Sequence, residues 1–295
     1  WSCHSNTLTK LSFLPNTCFI KKIFNYIKYT NCKLIILSPF PNKDDYEKLY
    51  PISYQNGANS NLSEDYSKKL LGLRFTYKYH FDLINKYMPN EKVLEYVCGD
   101  GHFINNSGKY GIKCDRVEYN QEQVDILNKT FLNSNFKTID AFYKDVAKYS
   151  VIRLSNVLEH IENTVEIIKK LKLKIKNNGI FIVEGLIEII MNLAFIIRFI
   201  YFRTKKIIQP NWIVSHNPTH IFFSNRLNQM QFFRSLCLKT LDCQITEAAW
   251  SFPEKIEKGL VNKLKWIIAR ISMLISSFIP NLGNTFIYLG KKNEE

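Results

Sequence analysis

The sequence predicts an α/β fold: a mostly parallel sheet with helices on both faces and a terminal antiparallel strand. Three observations predict it. From Lys92 onward, short apolar runs alternate with stretches of helical spacing, the pattern of a parallel sheet covered by helices. The first of these runs, "KVLEYV", passes directly into "CGDGHF", with glycines at positions 99 and 101 where a strand would hand over to a helix. Apolar residues make up 46% of the chain, with 21 Phe and 16 Tyr, which supplies a sizeable core and argues against disorder.

Residues 1–60 read as an N-terminal extension, short, irregular and ribbon-like. Within it "NCKLIILSPFP" looks like a strand ending in a proline turn. Cys3, Cys18 and Cys32 raise the question of zinc, but a ribbon site uses two Cys-x-x-Cys pairs. Tyr29 stands three residues before Cys32, so only a half-motif is present and a metal-free remnant is expected. Residues 61–295 form the main domain. It begins with polar sequence to about residue 75, then an amphipathic helix from Arg74 to Met88. "KVLEYV" is the first strand and "IKCDRVEY" the second. "QEQVDILNKTF" is a helix with an acid in its first turn. "NFKTID" is the third strand, "SVIRLSNVL" the fourth, "TVEIIKKLKLKI" a helix and "NNGIFIVEGL" the fifth strand. A helical insertion follows at about 186–215, then another helix and strand, and "NTFIYLGKK" closes the sheet.

Net charge is +14, which favours anionic partners. The lysines are scattered, however, and no dense basic run marks a nucleic-acid patch. Seven cysteines without a paired framework suit a reducing compartment, so a cytoplasmic location is expected. The chain opens on Trp1 rather than Met, which suggests that the natural N-terminus is missing, and no signal peptide is visible. Two apolar stretches, Leu186 to Phe202 and Trp266 to Ile279, bear on membranes. The first carries Glu188, Asn192 and Arg198, and the second Arg270, so neither reads as a span. Both fit core or lid helices, or helices lying in a membrane surface.

In an open parallel sheet, ligands bind beyond the carboxyl ends of the strands. "CGDG" stands at such an end. Glu118 follows about 20 residues later, the spacing of an acid that takes both hydroxyls of a ribose. With "VLEYVCGDGHF", "VEYN", "LSNVLEHI", "NNGIFIVE" and "HNPTHIFFS" in this order, residues 74–245 resemble the class I S-adenosylmethionine-dependent methyltransferases, in particular the small-molecule branch among glycan and secondary-metabolite enzymes. The resemblance implies a Rossmann-like sheet and S-adenosylmethionine as cofactor. It places Glu95, Gly99 and Gly101 in the first-strand loop, Glu118 on the ribose, Asp140 and Ala141 against the adenine, and Asn156 on the cofactor floor. His160 would face the substrate. Three positions depart from the pattern: Val97 replaces the first glycine of the turn, Arg116 a glycine, and Ser150 the aspartate that opens the fourth strand. A valine at a tight turn would displace the backbone or force a strained dihedral.

The expected function is methyl transfer to a small acceptor, a sugar or glycan-precursor hydroxyl first, with His160 or His220 as base. His216 and His220 could pair on a metal, but two histidines without a carboxylate are more often loop residues, so no metal is expected. Cys98 reads as a small buried residue rather than a nucleophile, and Glu184 faces the substrate or caps a turn. The alternatives are a catalytically impaired methyltransferase-like protein that binds a partner or membrane surface, and a nucleic-acid methyltransferase. The last has only the charge in its favour, since "NVLEH" stands where a base-flipping motif would. Oligomeric state is not legible.

Overall fold

A computed structural model describes residues 8–10, 17–19, 21–50, 77–99, 101–131, 135–187, 192–213, 220–246 and 258–293. The N-terminal part carries four strands, β1 (Leu8–Lys10), β2 (Thr17–Phe19), β3 (Lys22–Tyr29) and β4 (Ile35–Ser38), followed by helix α1 (Lys43–Leu49). The main domain runs α2 (Tyr77–Tyr87), β5 (Val93–Tyr96), α3 (His102–Ser107), β6 (Cys114–Glu118), α4 (Gln121–Thr130), β7 (Phe136–Thr138), α5 (Ile139–Lys144), β8 (Tyr149–Ser155), α6 (Thr164–Lys174) and β9 (Ile175–Leu186). It continues with α7 (Leu193–Ile208), β10 (Phe222–Phe223), α8 (Arg226–Ser235), β11 (Leu238–Thr246), α9 (Leu260–Phe278) and β12 (Thr285–Lys292).

The large sheet has seven strands in the order β11-β12-β9-β8-β5-β6-β7. Strands β5 to β9 pair in parallel, and β12 lies antiparallel between β9 and β11, as the terminal strand was expected to do. The strand order reverses between β5 and β8, so the crevice for a ligand opens there. Strand β5 is buried throughout and β8 from Tyr149 to Leu154, because helices cover the two faces. Alternate side chains feed two cores. Leu94, Tyr96, Ile152 and Leu154 join Phe181, Phe233 and Tyr288 on one face. Val93 and Val151 join Phe81, Phe103 and Ile287 on the other.

The N-terminal extension is more regular than its sequence suggests. One strand was legible there; the structure has four, and they form an antiparallel sheet that β10 completes by pairing with β4. The alternation Phe24, Tyr26 in β3 carried that signal. The polar stretch 51–75 lies outside the described residues. Three boundaries also move. Strand β7 ends at Thr138, whose hydroxyl accepts the Ala141 N–H at 3.3 Å and so starts a helix, leaving Asp140 and Ala141 in its first turn. In the apolar segment expected from Leu186, helix α7 is capped by Asn192, whose side chain accepts from the Phe195 N–H at 2.8 Å. The last apolar segment is helical from Leu260, six residues earlier than expected.

Candidate active site

The turn after β5 is built from left-handed backbone. Val97 has φ +59°, Gly99 +57° and Gly101 +82°. A non-glycine residue in this region costs roughly 1–2 kcal/mol, more for a β-branched one. Valine therefore adopts the backbone that the missing glycine would have taken, and the strained dihedral is the outcome. Its side chain packs against the main core. At the facing strand end Asn156 turns the same way, with φ +51°, and its N–H donates to the Glu184 carbonyl at 2.9 Å.

Glu118, at the carboxyl end of β6, is fully buried. One carboxylate oxygen accepts from the Gly99 N–H at 2.8 Å, the other from the Tyr119 N–H at 2.7 Å. Gln123 adds a bond from its side-chain amide to the Gly99 carbonyl at 3.2 Å. Glu118 thus fastens the glycine turn to the second strand. Tyr119, the next residue, is 69% exposed beside it and was missed in the sequence. A Cβ built on Gly99 meets no described atom within 4 Å, whereas one on Gly101 would touch the Phe131 ring at 3.0 Å. Gly101 is therefore needed for packing against α4, while the space at Gly99 faces outward. Asp140 and Ala141 are exposed at the end of β7, and Asn156 is exposed at the end of β8.

Beneath the turn lies a buried charge cluster that sequence reasoning did not find. Arg153, in the middle of β8, pairs through Nη1 with Oε1 of Glu95 on β5, both buried. Its Nε donates to Nδ1 of His80 on α2 at 2.8 Å, and its guanidinium carbon sits 4.1 Å from the Phe103 ring centroid. Nη2 lies 3.8 Å from Glu184, whose same oxygen accepts the Ser155 hydroxyl at 2.8 Å. Since His80 Nδ1 accepts from Arg153, its proton is on Nε2, which lies 3.4 Å from Glu184 Oε2 without making a hydrogen bond to it. Burial, then the nearby Arg153 charge, pushes the His80 pKa well down, so it stays neutral. Glu95 is accordingly held by Arg153 under the turn. The visible signal was an arginine in the apolar run "YSVIRLS".

On the other side of the crevice the fold brings together two residues 60 positions apart in sequence. The His160 and His220 rings lie 4.6 Å apart, nearly perpendicular at 78°. Tyr50, at the end of α1, has its hydroxyl 2.8 Å from His160 Nδ1. His220 arrives because the next residues are pinned: the Ile221 N–H donates to the Glu159 carbonyl at 2.9 Å, and its carbonyl accepts from the Leu37 N–H at 3.0 Å. His216 lies outside the described residues. The expectation of no metal rested on two histidines lacking a carboxylate. The fold supplies one, since ligand atoms of Glu159, His160 and His220 all lie within 4.8 Å of one another. Among the described residues no cysteine joins such a group, and Cys3 is not described. Burial pushes the Cys98 thiol pKa well up, which suits an inert core residue.

Residues 73–195, less than half of the chain, match a family model described as a methyltransferase domain. No curated protein matches the sequence. Among solved structures, the chain is similar to a phosphoethanolamine N-methyltransferase 2 of Haemonchus contortus in complex with S-adenosyl-L-methionine, with 10% identity and a TM-score of 0.51 over 88% of this chain and 63% of that one. A SAM-dependent methyltransferase from Archaeoglobus fulgidus follows with 18% identity and a TM-score of 0.44, covering 73% and 94% of the two chains. A coclaurine N-methyltransferase bound to N-methylheliamine and SAH shows 12% identity and a TM-score of 0.46 over 85% and 86%. The strand order, the glycine turn and the family match agree: residues 73–195 are similar to a methyltransferase domain and lie on a Rossmann-like, mostly parallel sheet.

Proposed function

We propose that this protein transfers a methyl group from S-adenosylmethionine to a small-molecule acceptor. The observation that carries the reading is the pairing of His160 with His220 across the crevice from the glycine turn. S-adenosylmethionine supplies an electrophilic methyl carbon, so the protein has mainly to align the reactants and exclude water. In this reading the turn at Gly99 and Gly101 lies against the methionine and ribose portion, Glu118 holds the turn at the ribose, and Asp140, Ala141 and Tyr119 border the adenine. Asn156 lines the floor. Glu95 acts from beneath, by positioning the turn through Arg153.

The imidazoles bear on the acceptor. A hydroxyl must lose its proton as it attacks, whereas an amine, once neutral, attacks with a free lone pair. A pair of imidazoles therefore suits a hydroxyl, and a sugar or glycan precursor is the acceptor we propose. For His160 to take that proton on Nε2, its Nδ1 must carry hydrogen and donate to the Tyr50 oxygen. The rival reading is a methyltransferase-like protein without activity. It is favoured by the complete burial of Glu118 under two backbone amides and by the strain at Val97.

Calorimetry separates the two. The active reading expects S-adenosylmethionine or S-adenosylhomocysteine to bind between about 1 μM and 1 mM. Glu118→Ala removes two bonds to a charged acceptor, each worth roughly 1.5–3 kcal/mol, and should weaken that binding. Absence of heat with both ligands at millimolar concentration would leave the inactive reading standing.

A further inference from the structure

Helix α9 is built inside out. Its buried face holds Ala269, Ser272, Met273 and Ser276. Among the described residues the buried Ser272 and Ser276 hydroxyls have no hydrogen-bond partner. Its exposed face holds Leu264, Ile267, Ile271, Leu274, Ile275 and Phe278, with Leu274 at 59% and Phe278 at 80% exposed. At 3.6 residues per turn these six fall within about 100° of arc, one continuous apolar stripe. A helix facing water carries the opposite arrangement, because buried hydroxyls without partners and exposed leucines both cost free energy. Helix α7, which packs against α9, repeats the pattern on a smaller scale: Ile200, Ile207 and Ile208 are exposed, the last two at 77% and 69%.

The charge on these helices has one sign. Arg198, Arg203, Lys205 and Lys206 on α7, and Lys263, Lys265 and Arg270 on α9, stand with no Asp or Glu in either helix. Among the described residues no helix is long and apolar enough to cross a membrane. An apolar stripe too short to span, edged by cations alone, matches the boundary between acyl chains and anionic headgroups. A protein partner would need an apolar surface with matching acids, whereas an anionic bilayer offers both at once.

We infer that α7 and α9 form a docking surface for an anionic lipid bilayer, on which the protein lies peripherally. Helix α7 follows the carboxyl end of β9 in sequence. The inference does not depend on the methyltransferase reading.

The test is co-sedimentation of the full chain with vesicles of phosphatidylcholine and phosphatidylglycerol at two to one, against phosphatidylcholine alone. The expected result is binding to the anionic vesicles, weak binding to the neutral ones, and loss of the anionic binding in about 0.5 M salt. Leu274→Asn with Phe278→Asn should lower the vesicle partition coefficient at least about tenfold, from the apolar area withdrawn from lipid. Lys263→Glu with Lys265→Glu should lower it on anionic vesicles only. An unchanged unfolding temperature shows that each variant is folded. The inference is overturned if the protein stays in the supernatant with and without anionic vesicles. It is equally overturned if sedimentation equilibrium shows a dimer that Leu274→Asn with Phe278→Asn dissociates while vesicle binding is nil, since the stripe then belongs to a second copy of the chain.

Discussion

The two walls of the crevice are assembled in opposite ways. The wall at β5 and β6 is local: a turn, the strand before it and the strand beside it, fastened by the Glu118 carboxylate to backbone amides two and eight tenths of an ångström or less away. The wall at His160 is remote: Tyr50 comes from the N-terminal extension, His160 from the end of β8, and His220 from a segment anchored to the small sheet. The first wall is rigid because it is braced by buried charge and backbone. The second depends on two sheets staying in register. Catalytic defects should therefore concentrate on the remote wall and stability defects under the local one.

The largest expected effect probes the remote wall. His160→Ala or His220→Ala should lower turnover by roughly 10²- to 10⁴-fold on an identified hydroxyl acceptor while S-adenosylmethionine affinity stays within a few-fold. Unchanged turnover in both variants would remove the base assignment. A chelator sharpens the result: if it abolishes wild-type activity and added divalent metal restores it, Glu159, His160 and His220 act as a metal centre and not as a base.

Next in size is the charge under the local wall. Arg153→Met removes the cation that pairs with buried Glu95, so unfolding in urea should show a loss of about 3–5 kcal/mol. The double variant Arg153→Met, Glu95→Gln should lose less than the single one. A loss below about 1 kcal/mol in the single variant would show that the pair does not brace this wall.

The pH dependence should be smaller and has a definite sign. His80 is neutral in the fold with its pKa well below the ordinary 6.5, because it is buried beside Arg153. Below that ordinary value the unfolded chain binds a proton that the native state refuses, so stability falls as pH drops under 6.5. His80→Gln keeps a side-chain acceptor for Arg153 and cannot titrate. Its unfolding temperature should therefore drop less than that of the wild type between pH 7.5 and pH 5.5. Parallel drops would mean that His80 is not the acid-sensitive group.

The smallest effect is expected at Val97. Relief of left-handed strain by Val97→Gly, roughly 1–2 kcal/mol, is offset by lost packing against the core, a term of similar size. Its side chain packs into the core, so cofactor affinity should change by less than about twofold in calorimetry. A tenfold gain would show that the valine crowds the ligand after all.

Much of the local wall was legible because its information is contiguous. The alternation of strand and helix signals, the glycine pair and the acid at the second strand end all lie within about 30 residues, and each reflects a short-range constraint: strand burial, left-handed turns, a carboxylate reachable by nearby amides. Even Val97 was legible as a tension, although only the fold decided that the dihedral, and not the backbone path, absorbs it. Arg153 was not singled out although it stands in an apolar strand, because its meaning requires knowing that Glu95, His80 and Glu184 converge on it from three other elements. In the remote wall, His160 and His220 were each expected at the substrate, but their meeting, and the part played by Tyr50, was decided by tertiary structure. Nothing in the spacing of Tyr50, His160 and His220 sets their distance; that is fixed by β10 joining β4, a pairing between segments nearly two hundred residues apart. The outward face of α9 belongs to the same class. Its periodicity marks a helix with one apolar stripe, and periodicity is identical whether that stripe points to a core or away from it. Only the packing of Ala269, Ser272 and Ser276 against the protein settles the direction, because small side chains allow close approach and the bulky aliphatic ones are left outside.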